Sequence, residues 1–456
     1  MIVLAAWAQA FGQVSLLDTS FQIGLGANDA VNALVVQADQ RILAGGEFTA
    51  IGGCSNSFLA RLKSDGSVDS LFNPVGQTDG AVQCLLQQPD RKVLVGGAFG
   101  QLLGAPQPAL ARLQENGLLD ESFDASAVMN TNCQVFSLAL QADGRLLVGY
   151  YYYYSGPEYW ASRIVRLNTN GTADATFVCT NLIGGYVFAL LPQPDGSVLC
   201  GANPSSSLGS PHYTLFRLKA DGQFDNTFDA GLDLSSVFCL VRQTNGQILV
   251  GGLLNRTGAS NSVPLLRLNA NLQWDATYHP DAFGGSADWP ETFSFTLLLQ
   301  PDGKLVVCGY FFEVGGYWRR HIVRLTAEGR VDGCFDPGLG LGAYWWASPV
   351  RAIALQPDGR ILIGGAFQGF DTALGQANLA RLLPSSGCDL IRVYINGGDQ
   401  SFAAATFPPG GTNYLEMSSD LKNWQTVQTN TDPYISYSDL SLTNPPQAFF
   451  RARQER

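Results

Sequence analysis

The sequence predicts an all-β chain: a seven-bladed β-propeller closed by its own N-terminal strand and followed by a small β-sandwich-like module. Three observations lead to this fold class. One unit recurs seven times, each unit divides into four short apolar runs joined by turn residues, and one spare copy of the last run precedes the first unit. Only 14% of the residues are charged, whereas 51 are glycine and 22 are proline, a composition typical of short strands and tight turns.

The repeating unit reads approximately V-x-x-L-x-x-Q-P-D-G-x-x-L-V-G-G-x-F, then a variable loop, then A-R-L-x-x-D-G-x-x-D-x-x-F. Three landmarks recur in all seven units at near-constant spacing, which is a strong repeat signal. They are a glutamine (Gln37, Gln88, Gln141, Gln193, Gln243, Gln300, Gln356), an arginine (Arg61, Arg112, Arg166, Arg217, Arg267, Arg324, Arg381) and a strand-ending glycine (Gly45, Gly96, Gly149, Gly201, Gly251, Gly309, Gly364).

The turns between the apolar runs are Asp-Gly or Asn-Gly in most units, and these residues tolerate the positive φ of a hairpin turn. We therefore predict four antiparallel strands in each unit. The sixth unit has one extra residue between Asp302 and Gly309, which we interpret as a β-bulge.

The aspartate of D-x-x-F occurs once before the first full unit, as Asp18, and does not recur after Arg381. The seventh blade thus lacks its outer strand, and residues Leu16–Phe21 are predicted to supply it. Such a ring has no free sheet edge. In six units the arginine and the aspartate are eight residues apart, as in Arg61 and Asp69, which predicts a cross-strand ion pair.

These residues resemble the delta-60 repeat family of bacterial β-propellers, whose units read Q-P-D-G-K-I-L-V-G-G-x-F and R-L-N-x-D-G-x-L-D-x-x-F. The resemblance covers residues 14–387 and departs from the family pattern in the fifth unit, which reads Gln-Thr-Asn-Gly at its first turn and has no glycine at its second. It implies an exported bacterial protein of mostly unassigned role.

Two further segments flank the predicted propeller. Residues 1–10 are apolar and end in Ala8-Gln9-Ala10, which is typical of a signal-peptide cleavage site. We therefore expect a secreted, periplasmic or cell-surface protein. Residues 389–456 contain strand-like runs and turns, and the stretch from Tyr414 to Trp424 is similar to modules appended to secreted bacterial proteins. Such a module could be a stabilising cap or an envelope-attachment domain.

Charge and motifs narrow the function classes. A net charge of −11 without a basic tract argues against nucleic acid as a partner, and no apolar run has the roughly 20 residues of a membrane span. The three histidines fall in different units, and no nucleophile, zinc or phosphate-loop motif occurs. We therefore expect no catalytic residues, no metal, no cofactor and no enzymatic activity. Four of the nine cysteines, Cys84, Cys200, Cys239 and Cys308, lie inside apolar runs or just before the glycine that ends a strand, and we interpret them as small buried hydrophobes.

Aromatic residues interrupt the repeat in the loops after the second strand and between units. Antiparallel order places all these loops on one face of the disc. Aromatic rings there could stack on the apolar faces of sugar rings. We expect a monomeric binding or scaffold protein with an extracellular ligand, a carbohydrate being one candidate; the alternatives are an adhesion protein that contacts other proteins and, less favoured, a hydrolase or lyase. The candidate ligand-binding residues are Tyr153, Tyr154, Trp160, Trp289, Tyr317, Trp318, Trp345 and Trp346.

Overall fold

The computed structural model describes residues 16–384 with internal gaps, and six strands beyond them. The gaps are 73–77, 154–159, 180–184, 204–213, 233, 255–262, 286–290, 336, 338–340, 343–349, 371–372 and 375. All regular secondary structure in the described part is β. These residues include no apolar helix long enough to cross a membrane.

Seven antiparallel sheets of three strands form the blades of a seven-bladed β-propeller, in which each blade has an inner, a middle and a third strand in chain order. The inner strands of consecutive blades are neighbours, and that of blade seven lies beside that of blade one. The strands are, blade by blade, Val31–Val36, Ile42–Gly46, Leu59–Leu62; Val82–Gln87, Val93–Gly97, Leu110–Leu113; Cys133–Leu140, Leu146–Tyr153, Trp160–Leu167; Tyr186–Pro192, Val198–Asn203, Leu215–Leu218; Ser236–Arg242, Ile248–Leu254, Val263–Leu268; Phe293–Leu299, Leu305–Tyr310, Ile322–Leu325; and Ala352–Leu355, Ile361–Gly364, Leu379–Leu382.

The hydrophobic core lies between the blades. Middle strands such as Ile42–Gly46 and Val93–Gly97 are buried along their whole length, because a neighbouring sheet covers each of their faces. Blades seven and one share such a core, in which Leu362 and Leu379 cluster with residues of blade one that include Ile42.

The predicted fourth strand of each blade is only a single antiparallel bridge. After the third strand the chain makes its Asp-Gly-type turn, pairs at one residue, and then turns again, as when the amide of Phe72 donates to the carbonyl of Asp69 at 3.0 Å. A strand is not continued because the D-x-x-F segment is itself a turn. The bridges of blades one to five are Leu62 with Val68, Leu113 with Leu119, Leu167 with Ala173, Leu218 with Phe224, and Leu268 with Trp274.

Residues near the N-terminus occupy the equivalent place in blade seven. Leu17 forms an antiparallel bridge with Leu382, and the amide of Asp18 donates to the carbonyl of Arg381 at 2.8 Å. Nε of Arg381 donates to Oδ2 of Asp18 at 2.8 Å. That this segment closes and stabilises the ring of blades stays a prediction.

Five of the six predicted arginine–aspartate pairs are seen, together with the pair of Arg381 and Asp18, and each of these arginines also contacts an aromatic ring and, in several blades, the next blade. In blade two, Nε of Arg112 donates to Asp120 at 2.7 Å, and Nη1 donates to the carbonyl of Thr169 in blade three at 2.6 Å. The guanidinium carbon lies 4.8 Å from the centre of the Phe123 ring. We call this arrangement the clamp. Equivalent ion pairs join Arg61 to Asp69, Arg166 to Asp174, Arg217 to Asp225, Arg267 to Asp275 and Arg381 to Asp18.

The expected bulge between Asp302 and Gly309 does not form. The middle strand of blade six pairs in continuous register with its third strand, and Cys308 occupies the place that Gly251 has in blade five. The landmark glycine of this unit is therefore replaced by a buried cysteine, and Gly309 corresponds to the next position, Gly252. The unit has no extra residue at this point.

Among the described residues, four blades carry a short hairpin in the loop after the middle strand, and blades six and seven extend it with a third short strand. These strands are Ala50–Ile51 with Cys54–Ser55; Gln101–Leu102 with Ala105–Pro106; Phe283–Gly284, Glu313–Val314 and Tyr317–Trp318; and Leu341–Gly342, Gly369–Phe370 and Ala373–Leu374. These hairpins belong to blades six, seven, one and two, which are consecutive around the propeller.

The chain divides into two compact units, Leu17–Arg330 with Leu339–Leu382, and Met1–Leu16 with Val331–Gly338 and Leu383–Arg456. The C-terminal region contains two antiparallel three-stranded sheets, Ile391–Asn396, Gln400–Thr406 and Tyr434–Asp439, and Thr412–Ser418, Gln425–Asn430 and Phe449–Glu455. Residues 385–390 lie outside the described residues, so the predicted boundary at 387–389 and the predicted sandwich stay predictions.

Candidate ligand-binding face

The antiparallel order of the strands gives the propeller two chemically different faces. Each inner strand begins beside the variable loops and ends at the Q-P-D-G turn. We call these the loop face and the turn face. The first residues of the inner strands therefore surround the channel at the loop face, and the last residues surround it at the turn face.

A ring of seven equivalent positions lies at the loop-face end of the inner strands. In six blades the ring residue is skipped in the pairing between inner and middle strand, so it forms a β-bulge, as Phe136 does between Val135 and Ser137. A bulge changes the direction of a side chain without breaking the strand. The members of this loop-face ring are Asn32, Gln83, Phe136, Phe188, Phe238, Phe295 and, just before the last inner strand, Arg351.

Blades three to six place phenylalanine in the loop-face ring, which we call the aromatic arc. The ring centres of Phe136 and Phe188 are 5.7 Å apart, those of Phe188 and Phe238 5.5 Å, and those of Phe238 and Phe295 4.9 Å. These distances are typical of edge-to-face and tilted aromatic contacts. All four side chains are only half-buried, so they offer apolar surface to a ligand.

Blades seven, one and two place polar residues in the same ring, which we call the polar arc. Nη1 of Arg351 donates to Oδ1 of Asn32 and to Oε1 of Glu47, each at 2.9 Å. The side-chain nitrogen Nδ2 of Asn32 donates to Oε1 of Gln83 at 3.2 Å. The network combines amide, carboxylate and guanidinium groups, which can bind hydroxyl groups as donors and as acceptors.

The aromatic arc continues outward into the hairpin of blade six. Phe295 contacts Phe293 at 4.9 Å, and Phe293 stacks on Tyr310 at 5.5 Å between ring centres. Tyr310 contacts Phe312 at 5.4 Å, and Phe312 contacts Trp318 at 6.1 Å. Trp318 is 50% exposed, a large fraction for a tryptophan. A continuous aromatic path thus joins the channel mouth to an exposed indole.

The other hairpins show that Trp318 is not needed to form this structure. Trp318 pairs with Glu313 as Ser55 pairs with Ala50 and Pro106 with Gln101. In blades one, two and six the first strand of this hairpin carries a fully buried aliphatic residue, which is Ile51, Leu102 or Val314. Since these three hairpins share the buried aliphatic residue and only one has a tryptophan, the hairpin does not require Trp318 in order to form.

The predicted binding residues are described to different degrees. Tyr317 and Trp318 lie in the blade-six hairpin, with Tyr317 5.3 Å from the guanidinium carbon of Arg319. Tyr153 and Trp160 pair with each other at the ends of two strands of blade three, so Tyr153 continues the strand rather than beginning a loop. Tyr154, Trp289, Trp345 and Trp346 lie outside the described residues.

The loop-face ring itself was missed because the candidates were sought only in the loops. The signal is nevertheless in the sequence: the residue after the valine that begins most units reads Asn, Gln, Phe, Phe, Phe, Phe, Arg around the chain. When one position of the repeat varies and its neighbours stay constant, the fold does not require a particular residue type at that position.

Burial shifts the pKa values of two titratable side chains near this face, His321 and Tyr151. His321 is fully buried; Nδ1 donates to the carbonyl of Gly309 at 3.1 Å, because a carbonyl can only accept. Burial, with Arg320 nearby, lowers the pKa of His321 to about 4, so it is neutral at physiological pH. Burial raises the pKa of Tyr151, and contact with Tyr186 raises it further.

Burial raises the thiol pKa of four cysteines in the described part of the chain. Burial raises the pKa of Cys239 to about 12 and shifts those of Cys84, Cys200 and Cys308 upward, which suppresses the thiolate. Cys334 is disulfide-bonded. No group of three metal-ligating side chains occurs among the described residues.

Solved structures similar to this chain are also β-propellers at low identity. A gluconolactonase from Xanthomonas campestris is 14% identical over 79% of this chain and 97% of that chain, with a TM-score of 0.36. A GH74 xyloglucanase from the same organism is 14% identical over 85% and 59%, with a TM-score of 0.43. An acylaminoacyl peptidase from Pyrococcus horikoshii is 10% identical over 86% and 59%, with a TM-score of 0.46. No curated protein matches the chain.

The expectation that the chain is not an enzyme is wrong. The solved propellers that are similar to it include a gluconolactonase and a xyloglucanase, so the fold gives no ground for excluding enzymatic activity. At this similarity no activity passes from them to this chain.

A family model provides the identification. The model described as "Domain of unknown function (DUF5122) beta-propeller" matches seven repeats, which cover more than half of the chain. The repeats are residues 37–72, 88–123, 141–177, 193–228, 243–278, 300–335 and 356–387. They coincide with the seven units found in the sequence, and the chain belongs to the DUF5122 β-propeller family.

Proposed function

We propose that this chain binds a carbohydrate at its loop face, outside the cytoplasm. The observation that carries the proposal is the continuous aromatic path from Phe136 to the half-exposed indole of Trp318. Sugar rings have apolar C–H faces that stack on aromatic rings and hydroxyl edges that require hydrogen bonds. The aromatic arc and the polar arc offer both kinds of contact around one channel mouth.

The location outside the cytoplasm is supported by the disulfide at Cys334, since structural disulfides persist in oxidising compartments. It agrees with the resemblance to exported bacterial propellers. Fractionation of the native host would test it: the protein should be found in the periplasm, at the cell surface or in the medium. Recovery from the cytoplasm with a reduced Cys334 would contradict it.

The binding test begins with a glycan array probed with the full-length labelled chain. A glycan that gives signal is then titrated while tryptophan fluorescence is followed. Replacing Trp318 with Ser, the residue at the equivalent hairpin position of blade one, should weaken binding by up to about tenfold, because a stacked ring contributes up to about 1.5 kcal/mol. Chromatography of the same mixtures shows whether the bound glycan is also cleaved.

A second variant tests the loop-face ring independently of the blade-six hairpin. Phe238→Gln introduces the residue that blade two has at the same bulge, Gln83, and should also weaken binding about tenfold. Leu118→Ser, on an exposed side chain in a turn, is the control and should leave affinity unchanged. If both site variants bind like the wild type, or if no glycan on the array binds the chain, the proposal is wrong.

A further inference from the structure

A second ring lies at the turn-face end of the inner strands, on the residue before each repeated glutamine. All seven side chains are half-buried. One of them, Arg242 of blade five, carries a charge, and the rest are apolar or neutral. The members of this turn-face ring are Val36, Gln87, Leu140, Pro192, Arg242, Leu299 and Leu355.

Arg242 differs from the clamp arginines because it has no acidic partner. In the described part of the chain, its Nη2 donates to the carbonyl of Pro192 at 3.3 Å and to Oε1 of Gln193, and no carboxylate lies within ion-pair distance. A guanidinium that is partly removed from water and bonded only to neutral oxygens retains its attraction for an anion.

Arg242 lines an open cavity of about 670 Å³ that is formed by residues of blades two to five, and this volume lies within the range of small-molecule sites. Apolar side chains form much of the lining, among them Pro89, Leu140, Pro192 and Pro194.

The other charges in the cavity lining are matched by partners of opposite sign. Arg112 is bound to Asp120 at 2.7 Å, and Asp90, at the rim, lies 3.9 Å from the ammonium of Lys92. The unmatched charge of the cavity is therefore positive.

The buried side-chain oxygens of Gln88 and Gln141 near this cavity do not identify a ligand. They have no hydrogen-bond partner among the described residues, but the same holds for Gln37, Gln243 and Gln300, so the feature belongs to the repeat. Arg242 is the feature that the other blades do not share.

We propose that this cavity binds a small organic carboxylate, with Arg242 bound to the carboxylate group and the apolar lining in contact with the rest of the molecule. The site is on the opposite face from the proposed carbohydrate site and does not depend on it. Benzoate combines a carboxylate with a flat apolar body, and benzamide has the same shape without the charge.

The experiment titrates the full-length chain with benzoate and with benzamide at low ionic strength, followed by calorimetry or ligand-observed NMR. Benzoate should bind and benzamide should bind at least tenfold more weakly. Arg242→Gln, the residue that blade two has in this ring, should weaken benzoate binding at least tenfold. Arg242→Lys should keep part of the affinity, and Trp318→Ser should change nothing.

Thermal unfolding of each variant separates binding from a structural role. If Arg242→Gln lowers the melting temperature substantially, the comparison of benzoate with benzamide is made instead on Arg242→Lys, which keeps the charge and should still prefer benzoate. The proposal is overturned if benzoate does not bind, if benzamide binds equally well, or if binding survives removal of the charge. Because Arg242→Gln leaves the loop face intact, its glycan binding should be that of the wild type.

Discussion

The clamp, seen in six blades of the described structure, and the loop-face ring, which has one residue in each of the seven blades, differ in how far the sequence may vary. At the clamp, six ion pairs repeat with the same partners and nearly the same distances, 2.8 Å for Arg61 and Asp69 and 2.7 Å for Arg166 and Asp174. At the ring, the equivalent position is asparagine, glutamine, phenylalanine or arginine. The residues that repeat hold the blades together, and those that change are available for a ligand.

The difference follows from what each position requires. The Arg112 side chain has to satisfy a buried carboxylate, an aromatic ring and a carbonyl of the next blade at once, so no other residue type fits. A residue of the loop-face ring that lies at a bulge is skipped in the pairing between the inner and middle strands, so the fold constrains its side chain weakly. The predictions below test this division.

Ring closure should give the largest effect. Deleting residues 11–22 removes Asp18 and leaves the buried guanidinium of Arg381 without its carboxylate, which costs about 3–5 kcal/mol. The melting temperature should fall by roughly 5–10 °C for a domain of this size. Differential scanning calorimetry measures the change, with deletion of residues 1–10 as the control. An unchanged melting temperature after the longer deletion would falsify closure by this segment.

Replacing a clamp arginine should give the next largest loss of stability. Arg112→Met leaves Asp120 buried without the guanidinium, and we expect a loss of about 3–5 kcal/mol in the free energy of unfolding, measured in urea. Lys92→Met removes a second, 31% exposed cation from the same carboxylate and should cost less than about 1 kcal/mol.

A ring variant provides the comparison with the clamp. Phe238→Gln should cost less stability than Arg112→Met, since Gln83 occupies the same bulge in blade two. If the ring variant were the more destabilising of the two, the ring would belong to the fold and the division between clamp and ring would fail.

Acid stability should depend on the hydroxyl that supports each clamp. Oγ1 of Thr227 donates to Asp225 at 2.6 Å, and this bond together with Arg217 lowers the pKa of Asp225 to about 2. A depressed pKa stabilises the fold above the unfolded value of about 3.9, and the contribution is lost as pH falls through about 2.

Thr227→Ala should therefore lower the melting temperature most at neutral pH, with the difference from wild type narrowing below pH 4. Thr227→Ser keeps the hydroxyl, as Ser122 does beside Asp120, and should behave like the wild type. A difference that stays constant from pH 7 to pH 2 would show that the hydroxyl does not act through the carboxylate.

The smallest effect concerns one turn of the scaffold. Gln40 has a φ of 66°, whereas Gly144 occupies the equivalent turn position of blade three with a φ of 84°. The left-handed region costs a residue with a side chain roughly 1 kcal/mol, so Gln40→Gly should stabilise the chain by about that amount. Gly144→Gln should destabilise it to a similar extent, and urea titrations of the two variants should bracket the wild type.

The sequence predicted the scaffold well because the scaffold is what repeats. Seven copies of the landmarks gave the blade number, and the eight-residue spacing predicted the pairing of Arg61 with Asp69. The fourth strand of each blade was predicted to be longer than it is, because the D-x-x-F segment has the apolar residues of a strand but folds as a turn after one bridge. The sixth unit was misaligned because Cys308 stands in the place of a glycine.

The candidate site could be predicted only in part, for a physical reason. The aromatic character of Trp318 and its loop is visible in the sequence, but the bulges that define the ring depend on pairing between strands. The sequence shows that Asn32 and Phe188 occupy the same place in their units, but only the pairing shows that both are bulged residues at the same end of the inner strands. Four of the eight predicted residues fall outside the described residues, so their role stays a prediction.

Hydrogen–deuterium exchange of the full-length chain, with and without the best glycan from the array, tests most directly whether the variable loop face is the binding face. We predict slower exchange in peptides that contain Phe188, Phe238 and the hairpin Glu313–Trp318, and no change at the turns around Gly66 and Gly117. Protection confined to the turns, or spread equally over both faces, would contradict the account.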